Sequence, residues 1–534
     1  MAHPASSRDS SDLAEFGYRQ RLDRTLGSFS SFAAGFSYLS ILTGLPQLFY
    51  LGFGAGGPAF FWTWPLIFCG QLLVALCFAE LAAKYPLAGG VYQWSKQVGP
   101  GWVGWMAGWV YLACAVITLG SVALALQGTL PQISERFQLV GDGNHPADAA
   151  RNAVLLGCLL IAFSTLINSV GVRLLARINN VGVFAEMMGT LVLIVLLTWG
   201  ARRGFSVVFD TQGRGAGESS GYLGAFLMAA LIPSFVMYGF DTAGSLAEET
   251  TDPRRRAPRA ILGSLLAVGA AGALLILGVL RGVADLHDPE LSRISGGMQL
   301  AIKETLGSGL GMLLLCDVAL AILICTLTVH AAAVRLVFAM ARDNNLPWSH
   351  ALAWLPGSSR TPVLPAILLG LFATAILVVN LNYPQVIELM VSVSIVWANL
   401  AYLLVTIPLL CSRFHTKHHH KGTGKGRELR RAAPGIFSLG RWGLPINLAA
   451  VVWGFLVVLN IGWPRQEIYG TIWYRRYGAL LATALLFLVG SLFYRLVRRG
   501  QPGVLEAHRA PEAFPSPEWA ASETHENRRP DPLT

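Results

Sequence analysis

SFAAGFSYLSILTGLP, residues 31–46, and LIPSFVMYGFDTAGSLAEE, residues 231–249, decide how this chain folds. Each lies in an apolar block long enough to cross a hydrocarbon core, and each is built to interrupt a helix there. The first carries Gly35, Gly44 and Pro46 among Ser37, Tyr38, Ser40 and Thr43. The second carries Pro233, Gly239, Gly244 and Asp241. Glycine weakens a helix, and proline removes one of its hydrogen bonds. Within a bilayer the freed backbone groups find no water, so irregular backbone belongs where it lines a cavity. Two interrupted spans five helices apart point to a transporter of two inverted repeats that binds its cargo at the breaks. Close helix packing is the plainer account of glycines taken alone. The matched spacing argues for breaks.

The rest of the chain agrees. Of 534 residues, 54% are hydrophobic and only 13% charged, about half the charge of a soluble domain. The spacing predicts twelve membrane spans, near 28–53, 60–83, 101–127, 151–170, 177–200, 221–247, 259–282, 307–336, 362–380, 385–411, 444–463 and 476–496. The net charge of +10 is not a nucleic-acid signal, because the basic residues sit between apolar blocks. With the N-terminus inside, 29 of the 40 Lys and Arg fall on the inner side. The positive-inside rule then gives a multi-pass protein of the cell membrane with both termini cytoplasmic.

Residues 1–27 read as a cytoplasmic tail, 28–411 as a transport core of ten spans and 444–496 as two further spans. Residues 497–534, rich in Pro, Glu, Ser and Arg, read as a disordered cytoplasmic tail. The loop 412–443 holds HTKHHHKGTGKGRELRR, whose four histidines suit either a metal or, as expected here, a solvated basic loop facing anionic lipid. The seven cysteines form no CxxC spacing and read as small apolar residues. No GxxxxGK[ST], HExxH or GxSxG occurs, and GFGAGG at 52–57 leads into no phosphate-binding helix. The chain is therefore expected to be no enzyme and no ATP-driven pump by itself, with no cofactor or metal.

Three further stretches carry a family resemblance. They are AELAAKYPLAGGVYQWS at 79–95, GFDTAGSLAEETTDPRRRAPRAI at 239–261 and RLVFAMARDNNLP at 335–347. In order and spacing they resemble the amino acid–polyamine–organocation superfamily of permeases, most of all its amino acid/choline branch, which includes GABA and choline permeases. The likeness covers about residues 20 to 410. It implies an all-α membrane fold, a five-plus-five inverted repeat with helices 1 and 6 broken, and two peripheral helices. It also implies substrate binding at the breaks and alternating access.

On that resemblance Ser37, Tyr38, Leu39 and Ser40 match the unwound part of span 1, and Tyr238, Gly239, Phe240 and Asp241 that of span 6. Free N–H groups at a half-helix start can hold a substrate carboxylate, and Phe240 and Tyr238 can meet an amine through their ring faces. Asp241 suits either substrate binding or helix capping. Glu186, in the middle of span 5, must face the protein interior. Many members of the superfamily have a lysine near this point, and this span has none. Glu186 is placed to exchange a proton during transport, or else is a structural acid. Asp317 is a second intramembrane acid, suited to a cationic substrate or to a structural pair, and His330 reads as a satisfied core histidine. Arg24 and Asp343 are expected to form a cytoplasmic gate, because those two chain ends meet in this fold. Glu80, Glu248 and Glu249 are expected to pair at helix ends near Arg254, Arg255 and Arg256.

The expected function is secondary active transport of an amino acid or related amine, coupled to protons, within the lipid bilayer. A permease for an organic cation such as choline or a polyamine, and a transport-inactive sensor or scaffold on the same fold, stand as alternatives.

Overall fold

A computed structural model of the chain describes residues 13, 16–18, 22, 24–143, 145–216, 220–294, 296–356, 361–379, 381, 386–419, 436–466 and 472–498. The C-terminal tail, most of the N-terminal tail and the middle of the basic loop, with His420, lie outside the described residues.

Among the described residues ten helices are long and apolar enough to span a membrane, and Gly221–Val236 and Val363–Val379 are shorter apolar helices. The twelve expected spans are thus present as helices. They are span 1 (Ser28–Gly56), span 2 (Pro58–Lys84), span 3 (Gly101–Ile133), span 4 (Pro146–Val170) and span 5 (Val172–Trp199). Span 6 starts at Gly221, and span 7 is Pro253–Gly282. Span 8 is Gly309–Arg342, set off by a kink at Gly307. Span 9 is Val363–Val379, span 10 Val386–His419, span 11 Gly443–Gly462 and span 12 Gly478–Phe493. A short helix, Gly90–Val98, links spans 2 and 3. The face where span 1 begins is called the near side below.

The packing repeats with a period of five spans. Span 3 packs on span 10, and its counterpart span 8 packs on span 5. Span 3 meets span 9, as span 8 meets span 4; the first half of span 1 meets span 5, as span 6 meets span 10. Spans 2 and 7, and spans 4 and 9, pair with each other. Five crossings are an odd number, so the second set must run opposite to the first, which is the arrangement of an inverted repeat.

Both breaks have local causes. Span 1 is two helices, Ser28–Leu39 and Ile41–Gly56, joined at Ser40 (φ 3°, ψ 104°). Ser40 restarts the helix at once because its hydroxyl accepts from the Thr43 N–H at 3.2 Å, as an N-cap does. Span 6 runs as Gly221–Ala229 and Leu231–Val236, leaves helical geometry, and resumes at Thr242–Ser245. Gly239 there has φ +93°, which only glycine adopts without strain. A Cβ at that position would fall 2.0 Å from the Tyr38 ring, so the glycine also lets the two breaks touch.

Candidate functional site

The break in span 1 is held from span 5. Glu186, 1% exposed, lies on the same face of its helix as Asn179, seven residues and about two turns earlier. Its Oε1 accepts from the Ser40 hydroxyl at 2.7 Å and from the Leu42 N–H at 3.4 Å. Its Oε2 is buried with no hydrogen-bond partner. The last turn before the break is tied to span 8: Ser37 Oγ is 2.8 Å from Thr328 Oγ1, and Thr328 donates to Asn179 Oδ1 at 2.9 Å.

The break in span 6 is held from spans 3 and 10. Asp241 Oδ1 accepts from the Tyr111 and Tyr402 hydroxyls, both at 2.6 Å. Tyr402 in turn accepts from the Gly239 N–H at 2.8 Å. Asp241 makes no side-chain capping bond to the helix that follows, so the capping reading is not realised. Its Oδ2 is buried without a partner. Phe240 packs among Phe78 and Tyr402, with ring centroids 5.9 and 5.3 Å away. Tyr238 turns the other way: its hydroxyl is 2.8 Å from Thr118 Oγ1, and its ring meets Tyr38 edge-on at 6.1 Å.

Tyr38, Leu39, Ser40, Thr118, Tyr238 and Cys325 border one cavity of about 10 Å³, which holds on the order of one water. A second cavity of about 30 Å³ lies nearer the span 1 start, lined by Ser30, Asn179, Asn180, Thr328 and the Glu249–Arg335 pair among others.

The structure brings Tyr38, Leu39, Ser40, Tyr238, Gly239 and Glu186 together, with Ser37 turned to span 8 and Phe240 and Asp241 turned to spans 2, 3 and 10. It does not bring Asp317 to the breaks. That side chain packs on Gly189, so closely that a Cβ on the glycine would lie 1.7 Å from Asp317 Oδ2. His330 is satisfied, with Nδ1 3.0 Å from Ser164 Oγ and Nε2 2.9 Å from the Ala366 carbonyl.

On the near side Asp343 is fully buried. Lys96 Nζ pairs with it at 2.8 Å, the Tyr18 and Tyr92 hydroxyls donate at 2.8 and 2.7 Å, and Gln93 donates at 3.3 Å. Arg24 is not among the partners described for it. Burial pushes the Asp343 carboxyl up, but Lys96 and Arg342 outweigh burial and hold it below the ordinary carboxylate range. Beside it the end of span 6 is bolted to span 8 by buried pairs, Glu248–Arg342 at 2.8 Å and Glu249–Arg335 at 3.0 Å. Glu80 pairs with Lys84 and Arg413. The acids therefore pair at helix ends, and the partners described for them are cations from spans 2, 8 and 10. The lead-in to span 1 also bonds the end of span 6, Leu26 N–H to the Glu249 carbonyl at 2.9 Å and Thr251 N–H to the Leu26 carbonyl at 3.0 Å.

Sequence reasoning missed Tyr111, Thr118, Tyr402 and Lys96. Only Lys96 left a signal, a cation just past the 79–95 stretch on a short helix that is otherwise largely buried. Among the described residues no group of His, Cys, Asp and Glu is arranged to hold a metal.

The sequence pattern of the family described as "Amino acid permease" matches residues 26–486. The chain belongs to that family. The permease is similar to Amino-acid permease BAT1 of Arabidopsis thaliana, 28% identical over 83% of this chain and 86% of that one. It is also similar to the GABA-specific permease of Saccharomyces cerevisiae, 23% identical over 92% of this chain and 85% of that one. Amino-acid permease 2 of Neurospora crassa matches at 25% over 86% and 83% of the two chains. The permease is thus a multi-pass membrane transporter of the amino acid class, and not an enzyme.

Proposed function

We propose that the permease moves an amino acid or a related amine by alternating access, with a proton carried on Glu186. The observation behind this is the position of the Glu186 carboxyl, bonded to Ser40 and Leu42 at the break of span 1. An ionised carboxylate only accepts hydrogen bonds, whereas the protonated acid also donates. Its charge state therefore changes the bonding of the break itself. The relatives' names support an amino acid as cargo, GABA among them.

Closure on the near side is held by Asp343 through Lys96, and by the two Glu–Arg pairs between spans 6 and 8. The expected gate of Arg24 and Asp343 is retained in this reading, with Lys96 added as a cation against the acid. The near side is the cytoplasmic side of the cell membrane, a reading supported by the 29 of 40 Lys and Arg that fall there.

The test is uptake into proteoliposomes of labelled amino acids, GABA, choline and putrescine, with and without an inward proton gradient. Gradient-driven accumulation is expected, and Glu186→Gln is expected to lose it while keeping exchange. Equal gradient-driven uptake by the Gln variant would falsify the coupling role. The cation reading rests on a different observation, the aromatic rings of Phe78, Phe240, Tyr111 and Tyr402 around Asp241. Stronger inhibition by choline or putrescine than by any amino acid would favour it. Failure to transport any probe would favour the sensor.

A further inference from the structure

The second half of span 1 starts at the site and has one carboxyl side chain already seated on it. This half-helix has 16 residues, long enough for its first N–H groups to carry the positive end of a helix dipole. That is where a substrate carboxylate would be held in the carrier proposed above. In this conformation Glu186 is there instead, on Ser40 and Leu42. Its second oxygen is buried without a partner among the described residues, and Ser40, which bonds its first oxygen, borders a cavity together with Thr43 and Gly44 of the same half-helix.

We propose that Glu186 is an internal stand-in for the substrate carboxylate: ionised, it occupies the start of the half-helix, and a substrate carboxylate seats there only when Glu186 has taken up a proton and let go. This inference rests on the carrier reading and specifies which group of the substrate meets the proton site. Two carboxylates at one helix start repel each other, and a half-helix offers only a few free N–H groups. A proton from solution removes the charge and makes the acid a donor as well as an acceptor. One O–H bond forms on the carboxyl as one breaks in the hydronium ion that donates the proton, and no other covalent bond changes.

The titratable groups near enough for charge to act between them and Glu186 are Asp317 and Cys325, both from span 8. From span 1 it meets the hydroxyl of Ser40 and the backbone of Ile41 and Leu42. Spans 4 and 7 contribute no titratable partner among the described residues. Asp317 packs one turn further along span 5, against Gly189. A second acid so close cannot act as counter-charge to Glu186. The break itself must therefore tolerate the charge or lose it.

The experiment uses the full-length permease in proteoliposomes at equal internal and external pH, so that no gradient drives exchange. Counterflow of labelled 4-aminobutyrate, L-alanine, L-arginine and choline is measured across the neutral range in wild type, Glu186→Gln and Glu186→Asp. For a carboxylate-bearing probe, wild-type half-saturation should weaken by up to about tenfold per pH unit on the alkaline side. Glu186→Gln, which mimics the neutral acid and keeps an acceptor for Ser40, should stay at the tight end with no slope. Glu186→Asp keeps a charge on a side chain one methylene shorter, and should flatten the slope. Exchange that is equally pH-dependent in wild type and Glu186→Gln, or flat in wild type, overturns the inference while leaving the carrier reading intact. Choline exchange lost in Glu186→Gln makes Glu186 a counter-ion and overturns it too. No amino acid exchanged by wild type at any pH overturns the carrier reading and this inference together.

Discussion

Replacing Lys96 by alanine removes the cation from a buried ion pair and leaves its acid in place. Lys96 is 4% exposed and Asp343 is fully buried. Breaking such a pair costs roughly 3–5 kcal/mol when nothing else compensates. Asp343 keeps two hydroxyl donors, Gln93 and the neighbouring Arg342, so about 2–3 kcal/mol is the better figure. A conformation in which the near side is open wets the carboxylate and escapes that cost. The balance between closed and open should therefore shift by about 30- to 150-fold. The assay is the labelling rate of a cysteine placed at Ser30, on the near-side cavity, by a membrane-impermeant maleimide. Lys96→Ala should raise that rate by tens of fold and Arg24→Ala by much less. In wild type the acid sits below its ordinary range, so its contribution is complete above the ordinary carboxylate pKa of about 4 and fails only in stronger acid. Labelling should thus be flat through neutral pH. Without Lys96, burial is opposed by fewer groups, the acid protonates at a higher pH, and mild acid should slow labelling again. Unchanged labelling in Lys96→Ala, or a larger effect from Arg24→Ala, refutes the reasoning.

Tyr402→Phe should destabilise the detergent-purified permease more than Tyr111→Phe, by roughly 1–3 kcal/mol, because it also orphans the buried Gly239 N–H. Thermal unfolding of the two variants side by side decides this, and equal midpoints would count against it. Gly239→Ala should abolish uptake, since the new Cβ meets the Tyr38 ring at a backbone angle alanine avoids. Adding Tyr38→Ala should restore part of it, and normal uptake by the single variant would show that the breaks need not touch.

The spans were legible because a bilayer leaves a chain few choices: about 20 apolar residues per crossing, interrupted only where a cavity takes up the loose backbone. The breaks were legible for the same reason, through Gly239 and the matched spacing, although Pro46 sits inside the second half-helix of span 1 rather than at its break. Their extent was not. Four residues of span 1 were expected to unwind, yet Ser37, Tyr38 and Leu39 remain helical and Ser40 alone departs. The Ser40 hydroxyl restarts the helix within one residue, a capping effect that the count of glycines and prolines does not register. Charge pairing was the least legible. Lys96 and Asp343 are 247 positions apart in sequence, and only the packing of the short helix beside span 8 makes them neighbours. Asp317 was grouped with the site because it is an acid inside a span expected to line it. It lies eight residues, more than two turns, before Cys325, which bonds the Tyr38 carbonyl. It therefore reaches Gly189 instead.

The two repeats solve the same problem with different chemistry. Spans 5 and 10 are counterparts, and each sends one polar side chain to the break of the span four places before it. Span 10 sends Tyr402, which accepts from Gly239 N–H. Span 5 sends Glu186, which accepts from Leu42 N–H. A phenol has an ordinary pKa of about 10 and keeps its proton across the physiological range. A carboxyl can hold either charge there once its surroundings are tuned. The link from span 10 to the break of span 6 is thus a group whose own charge does not vary, though it donates to the Asp241 carboxyl, and the link from span 5 to the break of span 1 is a group whose charge can vary. A repeat protein that moves by rocking one half against the other needs something to bias the motion, and symmetry alone supplies none. In the carrier proposed above, the carboxyl of Glu186 linking span 5 to span 1 has only a phenol as its counterpart between spans 10 and 6, and that difference would supply the bias.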